Sequence, residues 1–184
     1  MGHSNRSLDD LITILREFNV EILIDVRRWP KSRKHPHFSR ENLEKILPSH
    51  GISYIWEEAL GGYRRFGRDI EDHGIGRCFE SEGFRAYANY ILKNREAGEA
   101  LERILRLAGE KLIAIMCAEK LPWNCHRKII SDWLVSKGYS VIHILDRDHV
   151  IEHRLTSCAE VINGTLNYKS VSYTHLTLPT NREV

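Results

Sequence analysis

Apolar positions along the chain follow two rhythms, one helical and one extended. Leu8, Leu11, Ile12, Leu15 and Phe18 recur every three to four residues, which predicts a helix over 8–18. Ser7 and Asp10, three apart, resemble a capping pair at its start. The run "VEILIDV" (20–26) is short, β-branched and almost wholly apolar, the pattern of a strand buried on both faces. A helix is predicted over 40–47, with Ser39 as its cap and Glu41 in its first turn, then a stop at Gly51 and a strand over 52–56. Two helices follow at about 82–93 and 96–108, then a strand over 111–117. A helix over 123–137 ends at Gly138, and "SVIHIL" (140–145) is the last clear strand. Periodicity between there and residue 170 is weak. The segment 57–80 is rich in Gly and Arg, has no clear period, and is long for a loop inside a domain, which marks it as functional or mobile.

Strands alternating with helices predict an α/β fold: a single three-layer domain with a mainly parallel sheet covered on both faces. The chain opens on a loop and a helix, whereas such a domain usually opens on a strand. The expectation is that a first strand is missing ahead of "GHSN" (2–5). The stretch "VSYTHLTLPT" (171–180) matches, codon for codon, a transposon-type sequencing adapter. The domain is therefore expected to span 1–170, and 171–184 is read as an assembly artefact excluded from fold reasoning.

The composition is that of a globular protein, 42% hydrophobic and 28% charged. A net charge of +2 matters less than where charge sits. Between Val26 and Arg40 there are six cations (Arg27, Arg28, Lys31, Arg33, Lys34, Arg40) and no acid, with His35 and His37 added. Such a block favours anionic partners: a small anionic molecule or nucleic acid. No apolar run approaches the roughly 20 residues of a membrane span, so no membrane partner is expected. The start is polar, unlike a signal peptide, and the four cysteines are irregularly spaced; a cytoplasmic protein with reduced thiols is expected.

In open α/β sheets, ligands bind at the carboxyl ends of the strands. Parallel strands would bring "GHSN" (2–5), "DVRRWPKSR" (25–33) and "CAEKLPWNCHR" (117–127) to one rim, with "LGGYRR" (60–65) able to cover them. Asp25 ends an apolar strand, where a lone carboxylate is costly unless paired; it reads as a salt-bridge anchor, a base or a ligand positioner. Arg27, two residues on, would share its sheet face and suits capture of phosphate or carboxylate. Cys117 and Cys125 flank a helix start, where the dipole, His126 and Arg127 favour a thiolate; they could equally be a redox pair or small buried apolar residues. His126 reads as a base, a zinc ligand or a supporting donor, and with Arg127 it could seat an anion at the helix start. Glu119 is a candidate acid/base group. The spacing C-x7-C-H is a poor match to the usual zinc pairs, so no metal and no cofactor are expected. Trp29, Trp56 and Trp123 read as core or rim packing rather than stacking platforms.

Together, "GHSNRS", "DVRRWPKSR...HF", "GISYIWEEALGG" and "CAEKLPWNCHR" resemble the bacterial and archaeal family catalogued as domain of unknown function 488, over roughly residues 2–147. The residues matching its signature are His3, Ser4, Asn5, Asp25, Arg27, Pro30, Ser32, Gly61, Gly62, Cys117, Glu119, Pro122, Cys125, His126 and Arg127. The resemblance implies no reaction, since the family name assigns none. It does imply an opening strand ahead of "GHS". A weaker likeness to rhodanese-type sulfurtransferases rests on "LIDVR" and a later strand–Cys–loop–Arg–helix unit; nine residues here separate Cys117 from Arg127, too many for their tight anion loop.

The candidate catalytic residues are thus Cys117, Cys125, His126, Glu119 and Asp25. The candidate substrate-binding residues are His3, Ser4, Asn5, Arg27, Ser32, Gly61, Gly62 and Arg127. The reading these support is a thiol-dependent enzyme acting on an anionic or nucleotide-like substrate. The alternatives are a nucleic-acid or nucleotide binding module using loop 27–40, and a structural or partner-binding domain whose motif residues form a buried polar network.

Overall fold

All four residues of β1 (Ile22–Asp25) are buried, which is why this strand lies at the centre of the sheet. In the computed structural model, which describes residues 1–169, β1 pairs in parallel with β2 (Ser53–Trp56) on one side and β3 (Ile113–Met116) on the other. The register aligns Asp25 with Trp56 and Met116, so all three carboxyl ends finish at one level. The stretch assigned to an adapter (171–184) lies outside the described residues.

Side chains alternate across β1, and two cores form. Leu23 packs with Leu11, Leu15, Leu43 and Met116, under α1 (Leu8–Glu17) and α2 (Arg40–Ile46). Ile22 and Ile24 pack with Tyr87, Ile91, Leu101 and Ile129, under α3 (Glu82–Lys93), α4 (Arg95–Glu110) and α5 (Arg127–Ser136). Helices on both faces of a parallel sheet make the expected three-layer α/β domain. Each of the three apolar β1 side chains contributes about 1.5–3 kcal/mol by burial. Ser7 caps α1 by accepting from the backbone N–H of Asp10 at 3.1 Å, as its spacing predicted. Ser39 precedes α2 but makes no side-chain capping bond. The helix expected over 123–137 starts later, at Arg127, because Pro122–Asn124 form a separate 3₁₀ turn.

The first residues lie beside β3 in parallel. The N-terminal ammonium donates to Ile115 O at 2.8 Å, Gly2 bridges Cys117, and the His3 and Ser4 N–H groups donate to Cys117 O and Ala118 O, both at 2.9 Å. Residues 2–5 therefore stand at the sheet's carboxyl rim, where the sequence placed them. Beside Met1 an apolar cavity of about 300 Å³ lies between β3 and Ile142–Ile144.

Two expectations are corrected. The strand expected over 140–145 does not join the parallel sheet: β4 (Ile142–Asp146) pairs antiparallel with β5 (His149–Glu152) as a separate hairpin, closed by Arg147–Asp148. A second hairpin, β6 (Ala159–Ile162) and β7 (Thr165–Tyr168), occupies the stretch of weak periodicity; its turn residues Asn163 and Gly164 have φ of +50° and +71°. The reading of four reduced thiols is also corrected: Cys78 and Cys158 form a disulfide, and Cys117 and Cys125 are the free cysteines. The pair is eighty residues apart, and folding brings it together where the Gly/Arg-rich segment meets the C-terminal hairpins. Among the described residues no helix is long and apolar enough to cross a membrane.

Those hairpins are tied to α5 through Asp132, which is fully buried. Its carboxylate accepts from Thr156 N and Oγ1, from Tyr168 Oη at 2.8 Å and from His153 Nε2 at 2.9 Å. His153 Nδ1 then accepts from His143 Nε2 at 2.8 Å. Burial, with His153 beside it, lowers the His143 pKa to about 3. His3 is lowered to about 4 by burial and by Arg27. Both take up a proton more readily in the unfolded chain, near the ordinary value of roughly 6.5. Their contribution is therefore complete above that value and is lost as pH falls from there towards 4 and below. Urea midpoints should drop between pH 7 and pH 5, and His143→Gln should flatten that dependence.

Candidate active site

Cys117 follows β3 directly, and Cys125 and His126 end the loop that enters α5. The loop returns to the sheet because His126 Nε2 donates to Val26 O at 3.1 Å, just past the end of β1. That bond fixes the ring. With Nε2–H committed to a carbonyl, Nδ1 faces the sulfurs, 3.7 Å from Cys125 Sγ and 3.9 Å from Cys117 Sγ, and in the protonated ring its N–H donates to Cys125. Tyr87 packs edge-on against the ring, centroids 4.9 Å apart, and its hydroxyl donates to Leu60 O at 2.6 Å.

The two thiols share a hydrogen bond, and their protons are unequal. The Cys117 S–H donates to Cys125, which lowers the Cys125 pKa far below the ordinary thiol value; His126 and Arg127 act in the same direction, and burial opposes them. The same hydrogen bond, together with burial, holds Cys117 protonated. The assignment agrees with the contacts, because Arg127 Nε donates to Cys125 Sγ at 3.3 Å. Arg127 Nη2 also donates to Glu119 O. Arg127 is thus buried behind the thiols, off the cleft wall. Its placement suits a support for the thiolate rather than the direct substrate contact considered from sequence.

The site faces a cleft of about 870 Å³ at the strand carboxyl ends. The cleft brings together His3, Ser4, Asn5, Arg27, Ser32, Gly62, Cys117, Glu119, Cys125 and His126. Asp25 and Gly61 do not line it. Asp25 is buried beneath, accepting from Arg27 Nε at 2.8 Å and Nη2, from Arg27 N at 3.1 Å and from Tyr54 Oη at 2.6 Å. It positions Arg27. Arg27 donates further to Phe38 O at 2.7 Å and to His3 Nε2 at 3.2 Å, so His3 must carry its ring proton on Nδ1, against Ser4 O. Four of the five Arg27 N–H groups are then engaged among the described residues, and one Nη1–H remains. Glu119 is exposed, and its Oε1 accepts from Leu121 N at 3.1 Å, bracing its own loop. Ser32 Oγ accepts from His35 N at 2.9 Å and shapes the basic loop.

Both glycines of "LGGY" allow close approach. A Cβ on Gly61 would lie 2.6 Å from Arg28 Cα, and one on Gly62 would lie 2.7 Å from His126 Nδ1. Gly62→Ala should push the imidazole away from the sulfurs, so Cys125 labelling by iodoacetamide should move to higher pH while the fold persists.

The model of the family described as "Domain of unknown function DUF488" matches residues 7–134. The chain belongs to this DUF488 family. The matched span covers the sheet, the thiol loop and most of α5; His3, Ser4, Asn5 and the β4–β7 hairpins lie outside it. No curated protein and no solved structure matches the chain.

Three further residues of the DUF488 site lie outside the sequence candidates, although Arg28 belongs to the basic block and Tyr63 to "LGGYRR". Tyr87 sits mid-helix and reads as core. Tyr63 lines the cleft from the unperiodic loop, and Arg28 is held there by Asp69 at 2.6 Å, a partner 41 residues away. Lys31 and Lys34, visible in the basic block, do reach the cleft.

Cys117 Sγ, Cys125 Sγ and His126 Nδ1 lie within 4.8 Å of one another and could also hold a soft metal ion. The His126 Nε2–H bond to a carbonyl is the usual support for a histidine ligand. Three donors with an open fourth position is the pattern of catalytic rather than structural zinc.

Proposed function

We propose that this domain is a thiol-dependent enzyme that acts on an anionic, nucleotide-like substrate, with Cys125 as nucleophile. One observation carries the reading: Arg127 Nε donates to Cys125 Sγ, which faces a cleft lined by Lys31, Lys34 and Arg27. An anion drawn to these cations presents a neighbouring electrophilic atom to the sulfur. The Cys125 electron pair forms the new bond, and the leaving group departs with its own pair. Once the Cys125 charge is consumed, Cys117 no longer has an anion holding its proton, and that proton passes to the leaving group. Water then adds to the electrophile, the Cys125–substrate bond breaks with its pair returning to sulfur, and the water proton restores Cys117. His3, Ser4, Asn5 and Ser32 offer polar contacts to the substrate, and Arg127 supports the thiolate from behind.

The test is turnover of a panel of nucleoside phosphates and phosphoesters, with mass spectrometry for a covalent adduct. The expected result is hydrolysis that stops on alkylation, with the adduct on Cys125. Salt-sensitive nucleic-acid binding that survives alkylation, with no turnover, would instead support the binding-module reading through loop 27–40. Activity removed by a chelator, with the thiols still intact, would move the chemistry to a metal held by Cys117, Cys125 and His126.

A further inference from the structure

We propose that Trp29 and Tyr63 form a stacking platform for a nucleobase at the rim of this cleft. The inference rests on the anionic-substrate reading above and adds that the anion carries a flat aromatic ring. Both side chains line the cleft, yet Trp29 is 61% exposed and Tyr63 is 79% exposed, so neither contributes to a core. Their rings nonetheless face one another, centroids 6.0 Å apart and planes inclined by 28°.

The pair is held in place by Arg28. Its guanidinium lies 5.1 Å from the Trp29 ring, and Nη1 donates to Tyr63 O at 2.8 Å. Asp69 fixes that guanidinium through two contacts, at 2.6 and 3.4 Å, and itself accepts from Arg65 N at 2.9 Å. The Arg28 and Asp69 side chains are largely buried, so the platform under the two exposed rings is rigid. Tyr63 also has φ of +59°, a left-handed conformation unfavourable for a bulky residue. A mostly buried ion pair and a strained backbone thus support two rings that pack against no core. That arrangement suits a ligand surface, where π-faces serve every base.

Charge narrows the ligand class. An aromatic pair could also receive a quaternary ammonium, but Arg28 occupies the cation–π contact with Trp29, and Lys31 and Lys34 would repel a second cation. A ligand that is aromatic at one end and anionic at the other satisfies both features. A nucleotide is such a ligand, whether free or as one residue of a single strand.

Equilibrium binding on the full chain distinguishes these cases, with adenosine monophosphate, ribose 5-phosphate and a short single-stranded oligonucleotide as probes. The expected result is that the nucleotide binds roughly 5- to 150-fold more tightly than ribose 5-phosphate, the range for one base–aromatic stack. In the double variant Trp29→Ala/Tyr63→Ala, nucleotide affinity should fall to that of ribose 5-phosphate, with the melting temperature unchanged. Preference for the oligonucleotide, lost in the same variant, would assign the platform to a nucleic-acid strand. Equal affinity for nucleotide and ribose phosphate in the unmodified protein would overturn the platform and leave the anion site standing. No binding of any probe would overturn the anion reading as well.

Discussion

Iodoacetamide should label Cys125 at pH values well below the roughly 8.5 at which an ordinary thiol ionises, and Cys117 should stay unlabelled over the same range. Alkylation follows thiolate, and the site supplies one thiolate for two sulfurs. Cys125 has three donors around it: the Cys117 S–H, the His126 ring and Arg127 Nε. Cys117 has the proton and an anion as neighbour. Cys117→Ala removes the strongest of the donors and should move the Cys125 labelling curve towards alkaline pH. Arg127→Gln should do the same without emptying the cleft. Cys125→Ser should lower turnover by several orders of magnitude, because a serine hydroxyl stays protonated in the same surroundings. In that variant Cys117 loses its anionic neighbour and should become reactive nearer the ordinary thiol pH. Equal labelling of both cysteines, or none until strongly alkaline pH, would remove nucleophilic catalysis from this loop.

Much of this arrangement is legible in the chain because it depends on local pattern. "VEILIDV" announces a strand buried on both faces, and the strand-end rule then sends Asp25, Arg27, Cys117, Cys125 and His126 to one rim. The rule places residues near each other but says nothing of which way a side chain turns. Arg127 and Arg27 look alike as anion ligands in sequence. The structure buries one behind the thiols and locks most of the other onto Asp25. Glu119 looks like an acid in sequence, and its Oε1 also braces a turn at the cleft. The C-terminal hairpins are hard to read from sequence for a different reason. "SVIHIL" is as apolar as a parallel strand, and only the turn at Arg147–Asp148 reveals its partner. Asn163–Gly164, by contrast, is a strong hairpin-turn signal, set between strands whose periodicity is weak. The Cys78–Cys158 bond, Arg28–Asp69 and Tyr54–Asp25 all join distant segments, and no local rule reports such pairings.

Asp25→Ala should lower the stability of the domain by about 3–5 kcal/mol, the cost of leaving one member of a buried ion pair alone. Asp25 has no exposed surface, and its two oxygens accept from three Arg27 donors and from Tyr54. Without it the guanidinium remains buried between Phe38 O and a neutral His3, neither of which can neutralise it. Tyr54→Phe removes one hydrogen bond to a charged group and should cost about 1.5–3 kcal/mol. If the two act through one network, the double variant should cost less than the sum of the singles. Chemical denaturation checks each value, and a midpoint unmoved by Asp25→Ala would remove the ion pair from the account of the fold. Asp25 is also a positioning residue for Arg27, which lines the cleft. Asp25→Asn keeps the shape of the carboxylate and loses its charge, so enough protein should remain folded to assay. In that variant anion affinity should fall and KM rise, while the pH dependence of Cys125 labelling stays where it was. A purely structural Asp25 would change stability alone; one that acted as the catalytic base would lower kcat with KM unchanged.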